Sequence, residues 1–138
     1  MVEIDVRYLG DLRCELTHGP SGSVVCTDAP VDNEGRGELF SPTDLVASAL
    51  GACLLTILGI VARRHGLELS GARAHVVKEM VDQPVRRIAR LTVDLAIPPG
   101  VPDALRPVLE RALRACPVLQ SLHPEIAEVI RFHWDAEV

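Results

Sequence analysis

Aromatic side chains are scarce in this chain: one Trp, one Tyr and two Phe make up 3% of 138 residues. Proteins that grip single-stranded nucleic acid use such rings as stacking platforms. The positive excess that phosphate backbones recruit is also missing, because 14 Lys and Arg stand against 19 Asp and Glu, a formal charge of -5. Nucleic acid is therefore not expected as a partner. Paired CxxC motifs are absent too. Cys14, Cys26, Cys53 and Cys116 are widely scattered, which argues against a structural zinc site and against a small disulfide scaffold. No metal or cofactor is expected. The opening MVEIDVRYLG carries acidic residues where a signal peptide needs positive charge and then an apolar segment, so export is unsupported and the expected compartment is the cytoplasm. In a reducing compartment, free thiols are either packed hydrophobes or chemistry.

What is abundant is aliphatic. Apolar residues form 48% of the chain, enough for one core of Leu, Val, Ile and Ala in a single domain spanning 1–138. Val2 to Leu9 alternates apolar and polar, the period-two pattern of a strand with one wet face. Asp11 to Thr17 and Ser23 to Thr27 repeat that character on either side of HGPSG, whose Gly and Pro mark a turn, so a meander opens the fold. Asp28 to Phe40 reads as a loop. Ser41-Pro42-Thr43-Asp44 reads as a helix start, with Ser at the N-cap, Pro at the first helical position and Asp closing a variant capping box. That helix is expected to run to about His65, where Gly66 suits the stop. Leu67 to Met80 and Val85 to Ile97 are expected strands, split by a turn at Asp82-Gln83-Pro84. A second, amphipathic helix is expected from about Pro102, with Pro107 in its first turn and Cys116 at its C-terminus before Pro117. Ile126 to Trp134 supplies a last strand. The class is α+β, in the order βββ-α-ββ-α-β.

The run from Leu45 to Ala62 holds no charged side chain and is long enough to raise the question of a membrane span. A lone span would strip the amphipathic strands of their packing partner, so the spine of a soluble core explains more of the residues, and no membrane is expected. Ala47, Ser48, Gly51 and Ala52 are small at four-residue spacings, which suits a close helix contact in a tightly packed dimer.

Two cysteines stand in distinctive settings: Cys53 ends FSPTDLVASALGAC inside the apolar helix, and Cys116 sits in ACPVLQSL. With the element order, these motifs cover nearly the whole chain, which resembles the OsmC/Ohr family, the osmotically inducible protein C and organic hydroperoxide resistance proteins. The resemblance implies an OsmC-like fold, an intertwined homodimer with sheets wrapped around central helices and two active sites at the subunit interface. It also implies reduction of organic hydroperoxides by a thiol mechanism. Cys53 would be the peroxidatic cysteine that becomes a sulfenic acid, and Cys116 the resolving cysteine that condenses with it to a disulfide, which an external dithiol then reduces.

A thiol about three turns into a helix gains little from the dipole, and burial disfavours its thiolate, so a cation is required. Arg36, in the glycine-flanked loop NEGRGELF, is the candidate, reaching the site from its own or the partner subunit as loop arginines do in this family. Arg7 and Arg13 come next. One family feature is missing: the peroxidases carry a glutamate ten positions before the first cysteine, and here that residue is Thr43. Two function classes follow. The cysteine pair favours a peroxidase for organic hydroperoxides; Thr43 favours a non-catalytic stress protein whose pocket binds an apolar small molecule. A metal site built from Cys53, Cys116 and His123 has the right residue types but no compact ligand motif. Cys14 and Cys26, within strands, read as core filler.

Overall fold

The computed structural model describes residues 1–137. The chain divides into two compact units, Met1–Val46 and Ala47–Val138.

The first unit is an antiparallel meander of β1 (Ile4–Gly10), β2 (Arg13–His18) and β3 (Val24–Asp28), paired in that order. In register, Val6 meets Leu16 and Tyr8 meets Cys14, while Leu16 also meets Val25. One face of the sheet is thereby apolar, and within the chain it is poorly covered: Ile4, Val6 and Tyr8 remain 61%, 62% and 64% exposed. Cys14 and Cys26 are free and half-buried. Asp28, fully enclosed at the end of β3, pins the following loop: Glu38 N–H donates to its Oδ2 at 3.0 Å. That hydrogen bond is the main reason its carboxyl is held below the usual range, with the Arg13 guanidinium, 3.5 Å away, adding to it. Arg13 also pairs with Glu38.

Helix α1 (Pro42–Arg64) begins in the first unit and continues through the second. Its start is the expected capping box, because Asp44 N–H donates to Ser41 Oγ at 3.1 Å and Ser41 N–H donates to Asp44 Oδ2 at 2.8 Å. Its end is a Schellman turn. Leu67 N–H reaches back to the Ala62 carbonyl, Gly66 N–H to that of Arg63, and Gly66 takes φ 71°.

In the second unit, β4 (Arg73–Val81) and β5 (Arg87–Ala96) are antiparallel, and β6 (Ala127–His133) adds parallel to β5. A parallel neighbour needs a long crossover; the helical segment 103–121 supplies it. Leu91, Val93 and Leu95 of β5 and Leu50, Leu54 and Leu58 of α1 are at most 1% exposed and form the centre of the core. Each buried side chain of that size contributes about 1.5–3 kcal/mol. Helix α1 is long and apolar enough to cross a membrane by length and composition. Its stripe of Ala47, Leu50, Gly51, Leu54, Leu58 and Ala62 is buried in this unit.

Three expectations are corrected. Strand β4 begins at Arg73, because Gly66 ends the helix at positive φ and a turn at Ser70–Gly71, where Gly71 also takes positive φ, comes before the strand, leaving 67–69 without regular structure. The second helix is broken into a 3-10 turn at Asp103–Leu105, α2 (Arg106–Ala112), a second 3-10 turn at Leu113–Ala115, and α3 (Pro117–Ser121). Pro107 does fall in the first turn of α2, but Pro117 excludes Cys116 from the helical region and restarts the chain as a new helix. The small residues of α1 also divide between two faces. Ala47 and Gly51 are buried in the second unit, and a Cβ on Gly51 would lie 2.9 Å from Val76 Cγ2; Ser48 and Ala52 are exposed. The close approach at Gly51 is helix on sheet, not helix on helix.

Candidate active site

Cys53 lies half-buried on α1 and Cys116 lies fully enclosed between the second 3-10 turn and α3, and their Sγ atoms are 2.8 Å apart. Residues 63 positions apart in sequence are thus in direct contact within the second unit. The gap to a disulfide, whose S–S length is roughly 2.05 Å, is small enough for side-chain motion to close. Both thiols are free.

Backbone geometry fixes Cys116. Its φ of -65° and ψ of 115° are extended, as a residue before proline requires. It is the N-cap of α3, and its Sγ accepts the Leu119 N–H at 3.5 Å. The sulfur thereby takes the place that Ser or Asp fills at most helix starts. Burial pushes the Cys116 thiol up, and the hydrogen bond it donates to Cys53 raises it further, against a smaller opposing effect from Leu119 N–H. The thiol form is therefore favoured, chiefly through desolvation. Pro117 directly after the cysteine was the signal for this second start.

Arg36 belongs to the other unit. Its side chain is 62% exposed and lies 4.0 Å from Asp11 Oδ2, while the flanking Gly37 takes φ 64° and a Cβ on Gly35 would overlap the Ala29 carbonyl. Both glycines are therefore demanded by the loop that carries the arginine. Arg13 is held between Asp28 and Glu38, and Arg7 pairs with Glu15 at 2.8 Å. Sequence reasoning missed Asp28, the organiser of this loop; its one trace is an isolated acid closing an apolar strand. Thr43 Oγ1 lies 3.1 Å from Ser41 Oγ, within the helix start. His123 is on an exposed turn, where its Nδ1 accepts the Glu125 N–H. Among the described residues no three His, Cys, Asp or Glu side chains are grouped to hold a metal ion.

An α+β chain in which two three-stranded sheets accompany a long apolar helix, with one cysteine on that helix touching a second before a Cys-Pro turn, defines a class of two-thiol proteins. The OsmC-like protein family model matches residues 35–129, which spans both cysteines, and the chain belongs to that family. A Psychrobacter arcticus crystal structure, provisionally described as an osmotic stress induced and detoxification response protein, is 39% identical over 96% of each chain, with a TM-score of 0.90. At 13% and 14% identity the likeness is one of fold. An organic hydroperoxide resistance protein OsmC from Legionella pneumophila covers 96% of each chain with a TM-score of 0.73. An organic hydroperoxide resistance protein from Elizabethkingia anophelis covers 96% of this chain and 94% of its own, with a TM-score of 0.72. The comparison with curated proteins returned no match.

Proposed function

We propose that this protein is a thiol-dependent peroxidase that reduces organic hydroperoxides in the cytoplasm as a homodimer. The observation that carries the reading is the 2.8 Å contact between the sulfurs of Cys53 and Cys116. The Cys53 thiolate attacks the terminal peroxide oxygen; the S–O bond forms, the O–O bond breaks and the alkoxide leaves as the alcohol after taking a proton. Cys53 is then a sulfenic acid. Cys116 sulfur displaces its hydroxyl, forming the S–S bond and releasing water. An external dithiol returns the pair to thiols by exchange, becoming a disulfide itself. A raised Cys116 suits this order of events, because the thiol that stays protonated is the one that waits.

Arg36 supplies the cation for the Cys53 thiolate. In support, its side chain is 62% exposed and held only by a long 4.0 Å ion pair with Asp11, and the two glycines beside it fix the loop that presents it. Arg36→Ala should slow alkylation of Cys53 at neutral pH; an unchanged pH profile of alkylation would remove Arg36 from the mechanism. Dimerisation is supported in each unit separately. The β1 face carrying Ile4, Val6 and Tyr8 is exposed, and so is the α1 stripe of Ser48, Ala52, Thr56 and Ile60. Monomers seldom leave so much apolar surface open. Sedimentation should give twice the chain mass, and a clean monomer at micromolar concentration would contradict this.

Thr43 favours a second reading, a non-catalytic member of the family that binds an apolar small molecule. Its hydroxyl is engaged with Ser41 at the helix start, and it brings no carboxylate to orient an arginine. Turnover separates the two readings. With dithiothreitol as reductant, cumene hydroperoxide should be consumed catalytically and faster than hydrogen peroxide, and Cys53→Ser should abolish the reaction. No dithiol-dependent consumption would leave the second reading standing.

A further inference from the structure

A groove of about 470 Å³ opens on the second unit between the α2–α3 segment and the edge strand β6. Leu113, Leu119, Ile130, Phe132 and Trp134 form its apolar wall, and neither reactive cysteine lines it. Alternation along β6 turns Ile130 and Phe132 to one side, and Trp134, just past the strand, lies beside them. The last two stack, with ring centroids 4.9 Å apart and planes 14° from parallel. The Arg106 guanidinium lies 5.2 Å from the Trp134 ring centroid and is anchored by Asp103 at 3.1 Å and Asp135 at 2.6 Å. The wall is therefore preorganised, and it uses the single Trp of a chain that has only four aromatic residues.

The rim carries one charge of each sign, Glu110 and Arg114. At a spacing of four residues such a pair ordinarily meets on a helix. Here neither side chain makes an ion pair or side-chain hydrogen bond among the described residues, whereas Arg106, one turn before Glu110, has two acidic partners. An acidic ligand with no amine would bring its carboxylate against Glu110, and an amine with no acid would meet Arg114. A ligand that satisfies both has an ammonium and a carboxylate close together, with an apolar group behind them.

We propose that this groove binds a bulky apolar α-amino acid, with its ammonium on Glu110, its carboxylate on Arg114 and its side chain against the wall formed by Leu113, Leu119, Ile130, Phe132 and Trp134. The volume falls within the range of about 300–1,000 Å³ for small-molecule sites. The proposal does not depend on peroxidase activity, since no atom of the cysteine pair takes part.

Trp134 is the only tryptophan and reports on the groove directly. Its emission should change saturably when the full chain is titrated with L-phenylalanine. N-acetyl-L-phenylalanine, which lacks the ammonium, and L-phenylalaninamide, which lacks the carboxylate, should each bind about tenfold or more weakly. Arg114→Gln should weaken L-phenylalanine by a similar factor yet leave the amide as in the unmodified protein, and Glu110→Gln should do the same with the N-acetyl compound as the unaffected ligand. That crossed pattern cannot come from misfolding. Absence of a saturable change, equal binding of the three compounds, or L-phenylalanine binding untouched by both substitutions would overturn the proposal.

Discussion

A single methyl group added at Gly51 tests how closely α1 is seated on its sheet. In an ordinary helix interior, glycine to alanine gains about 0.8–1 kcal/mol. At Gly51 the new Cβ would stand 2.9 Å from Val76 Cγ2 and 3.4 Å from Ala74 Cβ. Val76 has little room to yield, because its β-branched side chain is stiff at χ1 and its ladder neighbour is the fully buried Val93. Overpacking of this kind costs about 1–3 kcal/mol, so Gly51→Ala should lose about 0–2 kcal/mol and gain nothing. In a Val76→Ala background the obstructing methyl groups are gone, and the same change should recover its gain of about 1 kcal/mol. The double-mutant cycle should therefore show a coupling of about 1–3 kcal/mol. Chemical denaturation at one fixed protein concentration measures it without confusion from association. A full helix-propensity gain in the unmodified background, with a cycle that closes at zero, would refute the seating. Gly51→Leu should damage the second unit itself, whatever the oligomeric state.

Two further outcomes follow from single side chains. Ser41→Ala removes the acceptor for Asp44 N–H and should cost about 0.5–2 kcal/mol in the same denaturation assay; a loss within error would mean that the capping box contributes nothing. The Asp94 carboxyl is held below its usual value, first by the hydrogen bond with His133 Nε2 at 2.8 Å and then by the Arg131 charge at 3.7 Å. Its stabilising effect is fully present above the unfolded carboxyl value of about 3.9 and disappears as pH falls through the lower folded value. Asp94→Asn should flatten the acid limb of a stability-against-pH curve, and an unaltered limb would contradict the assignment.

Local chemistry made much of this fold legible in the sequence. The Ser41-Pro42-Thr43-Asp44 start and the Gly66 stop bracket α1 to within a residue, because caps act through neighbours in the chain. The boundaries that failed were decided elsewhere. Leu67 to Ala72 has strand-like composition, but Gly66 before it and Gly71 within it, both at positive φ, keep it from joining the strand. The amphipathic stretch after Pro102 has helical periodicity, yet its prolines divide it into short helices. Gly51 and Ala52 look equivalent on paper; only the direction of the sheet reveals that one faces Val76 and the other is exposed. At the site, the sequence singled out Cys53 and Cys116 by their contexts, but their contact is a long-range result of packing α1 against the crossover. The salt-bridge network of Arg13, Asp28 and Glu38 depends on a loop folding back on its own sheet, which no periodicity encodes.

The redox pairing of Cys53 with Cys116 is the central claim, and thiol-resolved mass spectrometry after one equivalent of cumene hydroperoxide tests it most directly. The account predicts an intramolecular Cys53 to Cys116 disulfide with Cys14 and Cys26 still reduced, and a trappable sulfenic acid on Cys53 when Cys116 is replaced by Ser. Peroxide loss no faster than with a free thiol, with both cysteines recovered as thiols, would contradict it.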